Sequence, residues 1–269
     1  MVIKIGKETS SKKFLLEIKA RITRISIFII IVFFICMTMS IALIDFQHIK
    51  IPVFYFKPSN NISIQIISFM KFTLLPKNVT LIQVAPGQAF MAQIQVSIIT
   101  SIVICLPIMV REIVAFITPA LKFNEIASIK KTLFPSAILF AIGCIFSYCI
   151  VIPFTIEFLY KYGQTIGVVS FFDINQFVSF TLNFLVLFGF SYQLPLIMFV
   201  LTEIKAVKPN FWKNNFRYIL MILILFGAFI TPDGSGISMW FVVGPLLLLY
   251  LIGLVIVKWK FNNNIHKLP

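Results

Sequence analysis

The sequence predicts an all-α integral membrane protein of six transmembrane helices, with both termini on the cytoplasmic side. Three observations carry this expectation. The chain is 59% hydrophobic with a mean hydropathy of +1.01. Only 12% of its 269 residues are charged, against about 25% in a soluble domain, so lipid must cover the surplus apolar surface. Finally, the apolar residues gather into runs approaching the roughly 20 residues that cross about 30 Å of hydrocarbon, and the basic residues lie unevenly between them.

The runs are taken in chain order as one membrane domain over residues 1–269. Residues 25–44 form a first span without a charge, led in by the amphipathic segment LLEIKARI. Its length and the lack of a small-residue cleavage site read as an uncleaved anchor. Residues 45–88 mix Asp45, four lysines and Pro52, Pro58 and Pro76 into a substantial outside loop, with 62–75 as a short interfacial helix. The second span covers 89–117 as one long helix, kinked by Pro107. The third covers 133–152 and ends at Pro153, followed by a second outside loop over 154–175. The fourth covers 177–201 and carries Asn183, Gln193 and Pro195. Two short spans, 218–230 and 237–257, flank the turn TPDGSG.

Thirteen apolar residues are few for the fifth span, and charge decides the count. With six spans and a cytoplasmic N-terminus, 18 of the 23 Lys and Arg lie inside and 5 outside. A re-entrant fifth segment would move Lys258, Lys260 and Lys267 outside, against the positive-inside rule.

The net charge of +14 does not point to nucleic acid, because the basic residues sit in short inter-span segments without a patterned basic or aromatic domain. They suit topology and contact with membrane lipids. Cys36, Cys105, Cys144 and Cys149 lie in apolar runs and read as buried hydrophobes. The two His are far apart, so no metal site is expected. All nine acids fall near or beyond a membrane surface, whereas ion-coupled carriers place charge within spans. Asn61-Ile-Ser and Asn78-Val-Thr fit a glycosylation pattern without carrying a role.

Glu17, with Lys19 and Arg21 beside it, and Glu125 stand out on the inner face. Spacing leaves each open as an ordinary solvated residue or as a carboxylate able to accept a guanidinium fork. Motifs separate the two readings. The run VREIVAFITPALKFNE, through Phe116, Pro119, Ala120, Leu121 and Glu125, resembles the first cytoplasmic loop of the TatC family, the multispan receptor subunit of the twin-arginine protein translocase. LLEIKAR is similar to that family's L-x-E-L-R-x-R start, SYQLP to its fourth-span S-F-E/Q-x-P, and ITPD to its T-P-P-D turn.

The resemblance implies a concave six-helix bundle in the cell membrane, an organellar inner membrane being the alternative. It also implies a non-catalytic receptor for the twin-arginine signal peptides of folded precursors. Glu17 and Glu125 would receive the two guanidinium groups, with Phe116 and Lys19 on the same surface. Single-span TatA-type and TatB-type subunits would be the partners, more than one copy of the chain would assemble, and proton-motive force rather than a cofactor would drive transport. Gln193, where many relatives have Glu, is either a helix–helix hydrogen-bond partner or a polar handle for a TatA-type helix. Lys19 stands where the family has Arg, replacing a fork by a point charge. One Pro is missing from the T-P-P-D turn, which leaves Asp233 as a plain turn residue or more.

Two rival functions remain in view at this stage. A small-solute transporter or channel predicts a repeat and charged or broken midplane helices, with Asn183, Gln193 and Pro195 its main support. An intramembrane enzyme would need a nucleophile–base or metal constellation, and none is visible.

Overall fold

The computed structural model describes residues 2–46, 49–76, 79–117, 123–167, 171–231 and 236–262. In chain order these are α1 (Val2–Thr38), β1 (Met39–Phe46), β2 (Ile49–Phe56), α2 (Ile62–Leu74), β3 (Thr80–Ile82), α3 (Gln88–Ile117), α4 (Phe123–Phe146), α5 (Ile152–Thr165), β4 (Phe171–Asp173), α6 (Ile174–Ser191), α7 (Leu194–Glu203), α8 (Pro209–Asn214), α9 (Phe216–Ile230) and α10 (Ile237–Asn262). Among the described residues, five helical stretches are long and apolar enough to cross a membrane: Leu16–Thr38, Gln88–Phe116, Phe134–Thr165, Ile174–Glu203 and Met239–Lys260. A shorter apolar helix spans Phe216–Ala228. The chain is a multi-pass, mostly helical membrane protein. It divides into two compact units, Met1–Ile66 with Gln93–Ala120, and Ile67–Ala92 with Leu121–Pro269.

In the first unit, α1 stops at Thr38, six residues before the expected end of the first span. Residues 39–44 belong instead to β1, which pairs antiparallel with β2 from Met39↔Phe56 to Phe46↔Ile49. The final carbonyls of a helix have no partner within it, and here the returning chain supplies donors. Lys57 N–H bonds to Thr38 O at 3.2 Å, Asn61 Nδ2 to Met37 O at 2.7 Å, and Ser63 Oγ to Cys36 O at 3.1 Å. The β-branched and aromatic residues that follow suit strands. Asn61 also caps α2, its Oδ1 accepting from Ile64 N–H at 3.0 Å. It is fully buried, so its amide is not open to glycosylation; Asn78 lies outside the described residues. Ser63 also bonds to Ser97, and Ser101 Oγ to Ser97 O at 2.6 Å, so a polar seam ties α1, α2 and α3 together. α3 runs unbroken through Pro107.

In the second unit, Pro153 does not end the third span. It sits in the first turn of α5, where a missing N–H costs little, and a five-residue π-helical turn, Ser147–Val151, joins α4 to α5. Much of the expected second outside loop is therefore helix. The fourth span is two helices: turn residues Tyr192 and Gln193 divide α6 from α7, with Pro195 in the first turn of α7. Asp173 caps α6, its Oδ1 accepting from Asn175 and Gln176 N–H. α4 and α6 pack so closely that a Cβ on Gly143 would lie 2.6 Å from Phe188 O, and one on Gly189 would lie 2.6 Å from the Phe140 ring.

The last helix is long rather than short, at 26 residues, while α9 has 15. At the α7–α10 end, Trp212 Nε1 donates to Thr202 Oγ1 at 3.1 Å and Tyr250 Oη to Trp212 O. Lys260 pairs with Glu203 at 3.3 Å and lies over the Phe199 ring. Asp233 lies outside the described residues.

Candidate functional site

Within the first unit, the middle of α1 and the C-terminal end of α3 bring together four charged side chains among the described residues. Glu17 and Arg21 stand one helical turn apart on α1, the spacing at which side chains meet. Arg21 Nη2 lies 2.7 Å from Glu17 Oε1, with Nε at 3.2 Å from the same oxygen. Arg21 then reaches α3, its Nη1 donating to Glu112 Oε2 at 2.9 Å and Nη2 to Ala115 O at 3.3 Å. Arg24, one turn further along α1, donates through Nη1 to Glu112 Oε1 at 2.7 Å.

The two carboxylates differ in kind. The Glu112 side chain is only 6% exposed and has both oxygens engaged by arginines. Burying a carboxylate among apolar residues is tolerable only when it is paired and hydrogen-bonded, and Arg21 and Arg24 meet that need. The Glu17 side chain is 42% exposed. Only its Oε1 is bonded, and Oε2 has no partner among the described residues. A further guanidinium could therefore approach Glu17 but not Glu112.

Beside this cluster, a cavity of about 200 Å³ is lined by Ile18, Ile22 and Ile25 of α1 and by Ile113 and Phe116 of α3, with Arg21 and Glu112 on its wall. Arg21 thus links the half-exposed Glu17 to a mainly apolar recess that it lines itself, an arrangement suited to a peptide carrying a cation near an apolar side chain.

The residues singled out in the sequence fare differently. Glu17 and Phe116 belong to this cluster and its recess. Lys19 is exposed and, two positions from Glu17, points to another side of α1. Glu125 lies in the first turn of α4, and its side chain is outside the described residues, as are residues 118–122. Gln193, in the second unit, donates from Nε2 to Ser136 O of α4 at 3.0 Å, so one side of its amide already serves as a helix–helix tie.

Sequence reading noted Arg21 beside Glu17 without a role, and missed Arg24 and Glu112, which it read only as a topology charge and an acid near the inner surface. The spacing of Glu17 and Arg21 was a usable signal for one pair. Nothing local announces the pairing with Glu112, which is 91 residues from Arg21. Among the described residues no group of three His, Cys, Asp or Glu could hold a metal ion.

Comparison with known proteins is consistent across sequence and fold. The family model described as TatC, Sec-independent protein translocase protein, matches residues 13–245. The chain is 46% identical over 197 residues to the Sec-independent protein translocase protein TatC of Cenarchaeum symbiosum, covering 73% of this chain and 75% of that protein. It is 31% identical over 199 residues to the protein of the same name from Carboxydothermus hydrogenoformans, covering 74% and 79%. A crystal structure of a twin-arginine translocase receptor, TatC, superposes with a TM-score of 0.75 at 24% identity, covering 91% of this chain and 98% of that one. A second, of the receptor in DDM, gives 0.72 at 25% identity over 91% and 99%.

Proposed function

This chain belongs to the TatC family of Sec-independent protein translocase proteins, and from that premise we propose that it is the receptor subunit of a twin-arginine translocase. It works as one membrane domain of six spans with both ends cytoplasmic, α9 being the short fifth. It binds the twin-arginine signal peptides of folded precursors on its cytoplasmic face, without catalytic chemistry or a cofactor. Glu17 and Glu125 accept the two guanidinium groups, with Phe116 at the recess and Lys19 contributing to peptide binding from another side of α1. Single-span TatA-type subunits, with or without a TatB-type one, assemble with it, and proton-motive force drives transport. The intramembrane amide of Gln193 contributes to the contact with such a helix.

The observation that carries this reading is the half-exposed carboxylate of Glu17, with Oε2 unpartnered among the described residues, held by Arg21, which also lines the recess at Phe116. A planar carboxylate accepts a guanidinium fork with both geometry and charge. It can do so at low cost only outside the hydrocarbon core, and the 42% exposure of the Glu17 side chain, next to the first residue of the candidate span Leu16–Thr38, supports that reading.

The test is crosslinking of a photoreactive twin-arginine peptide to the protein in membranes. Glu125→Lys should abolish the crosslink while insertion and folding remain intact, because a charge-assisted pair worth about 2–5 kcal/mol is replaced by repulsion. Survival of the crosslink in the Glu17→Lys and Glu125→Lys double variant would show the assigned carboxylates to be wrong.

A further inference from the structure

The geometry points to a built-in competitor: we propose that Arg21 is an internal guanidinium that occupies Glu17 at rest, and that Glu112 receives Arg21 when an incoming arginine takes Glu17. The inference rests on Glu17 being part of the recognition site and adds what sets its threshold.

Arg21 is shared between two carboxylates. Its Nε and Nη2 hold one oxygen of Glu17, while Nη1 holds one oxygen of Glu112. Letting go of Glu17 does not strand its charge, because the bonds to Glu112 Oε2 and Ala115 O remain. Glu112 is suited to be the fixed end of the exchange. It is nearly buried, and Arg24 anchors its other oxygen at 2.7 Å. Glu17 is suited to be the exchangeable end, being half-exposed and with Oε2 unpartnered among the described residues.

An incoming guanidinium can therefore bind Oε2 first and displace Arg21 from Oε1 second, with no carboxylate left bare in between. At rest, two arginines and two glutamates make the cluster neutral, so it exerts little general pull on cations. A ligand gains only by matching what it displaces. A guanidinium presents a planar fork of the same kind, whereas an ammonium is a point charge that cannot reproduce two parallel N–H bonds. Discrimination between arginine and lysine then comes partly from competition inside the receptor, and Arg21 and Glu112 are positioning residues.

The experiment is equilibrium binding of two synthetic peptides, one with an arginine pair and one with lysines in its place, to the full-length protein in nanodiscs. Arg21→Gln should tighten the arginine peptide about five- to tenfold, and should tighten the lysine peptide more, so that their ratio shrinks. Glu112→Gln should weaken the arginine peptide by a similar factor, because Glu17 is then the one carboxylate left to Arg21 in the cluster, beside the carbonyl of Ala115. In the Arg21→Gln/Glu112→Gln double variant that weakening should vanish. Arg21→Lys keeps the charge but loses the fork, and should reduce discrimination to a smaller extent; it decides the matter if Arg21→Gln does not fold.

Unchanged or weaker binding in Arg21→Gln, or a Glu112→Gln defect that persists in the double variant, would reduce the cluster to a structural brace and overturn the proposal. A Glu17→Gln control separates the two levels. If it leaves both affinities unchanged, the recognition reading itself falls, and the proposal with it.

Discussion

Glu17 and Glu112 are the same residue type near the same surface, yet exposure and partners divide their work. Both oxygens of Glu112 are held by arginines and nearly sealed from water, while Glu17 Oε2 has no partner among the described residues. That difference is why the proposed recognition role falls on Glu17 rather than on Glu112. Lys19 sits outside the cluster and is exposed, so its side chain contributes a cation rather than a fixed fork. Lys19→Arg should therefore leave signal-peptide binding and export within about twofold of the parent, as surface changes of this kind are small. An export assay with a folded reporter carrying a twin-arginine signal checks this, and a severe loss would mean that the site has diverged from the family's, with Lys19 in a role an arginine cannot fill. Glu17 was legible at this scale because its motif and its i,i+4 neighbour are both local. Arg24 and Glu112 were not, because a charge in an inter-span segment looks the same whether it faces water or a buried partner.

Among the elements, the early end of α1 is the most informative. Hydropathy alone runs the span on to residue 44, and nothing in SIALI forbids helix. The end at Thr38 reflects donors arriving from residues 57–63, with Asn61 satisfying α1 through Met37 O and α2 through Ile64 N–H. Asn61→Ala should lower stability by about 1–3 kcal/mol, the cost of leaving buried backbone groups unsatisfied. The loss should appear as a lower Tm in detergent, with twin-arginine binding retained at temperatures where the variant is folded. An unchanged Tm would mean that another donor closes α1. The π turn before Pro153 and the divided fourth span have the same kind of origin. In both places a proline removes a backbone donor, and the helix adjusts locally instead of stopping. Gln193, at the second of these breaks, gains Ser136 O as partner, a tie with no signature in SYQLP itself.

For the whole molecule, α9 bears on topology most directly. Its 15 residues extend about 22 Å at 1.5 Å per residue, short of about 30 Å of hydrocarbon. It packs against the longer α10, where a Cβ on Gly227 would lie 2.5 Å from Val243 Cγ2, and such a neighbour can accommodate a short span. If α9 crosses, a reporter fused after Pro269 should be active only in a cytoplasmic format. Activity in the extracytoplasmic format would make α9 re-entrant and leave five spans.

The sequence by itself determined the solvent, the class and the orientation expected of this protein. Apolar run length, charge asymmetry and turn residues are properties of contiguous chain, and the bilayer reads them segment by segment. It also carried the family, because F-x-x-P-A-L with its following Glu and the accompanying motifs are contiguous too. Only the tertiary structure decided where α1 ends, that Gln193 is tied to Ser136, and that Arg21 and Arg24 share Glu112. Each of these is a donor meeting an acceptor between 19 and 91 residues away, and in a low-dielectric setting such pairings are strong enough to override local preference. Local chemistry makes each of these acids a charge that must be solvated or paired; packing seals Glu112 between two arginines and leaves Glu17 half-exposed.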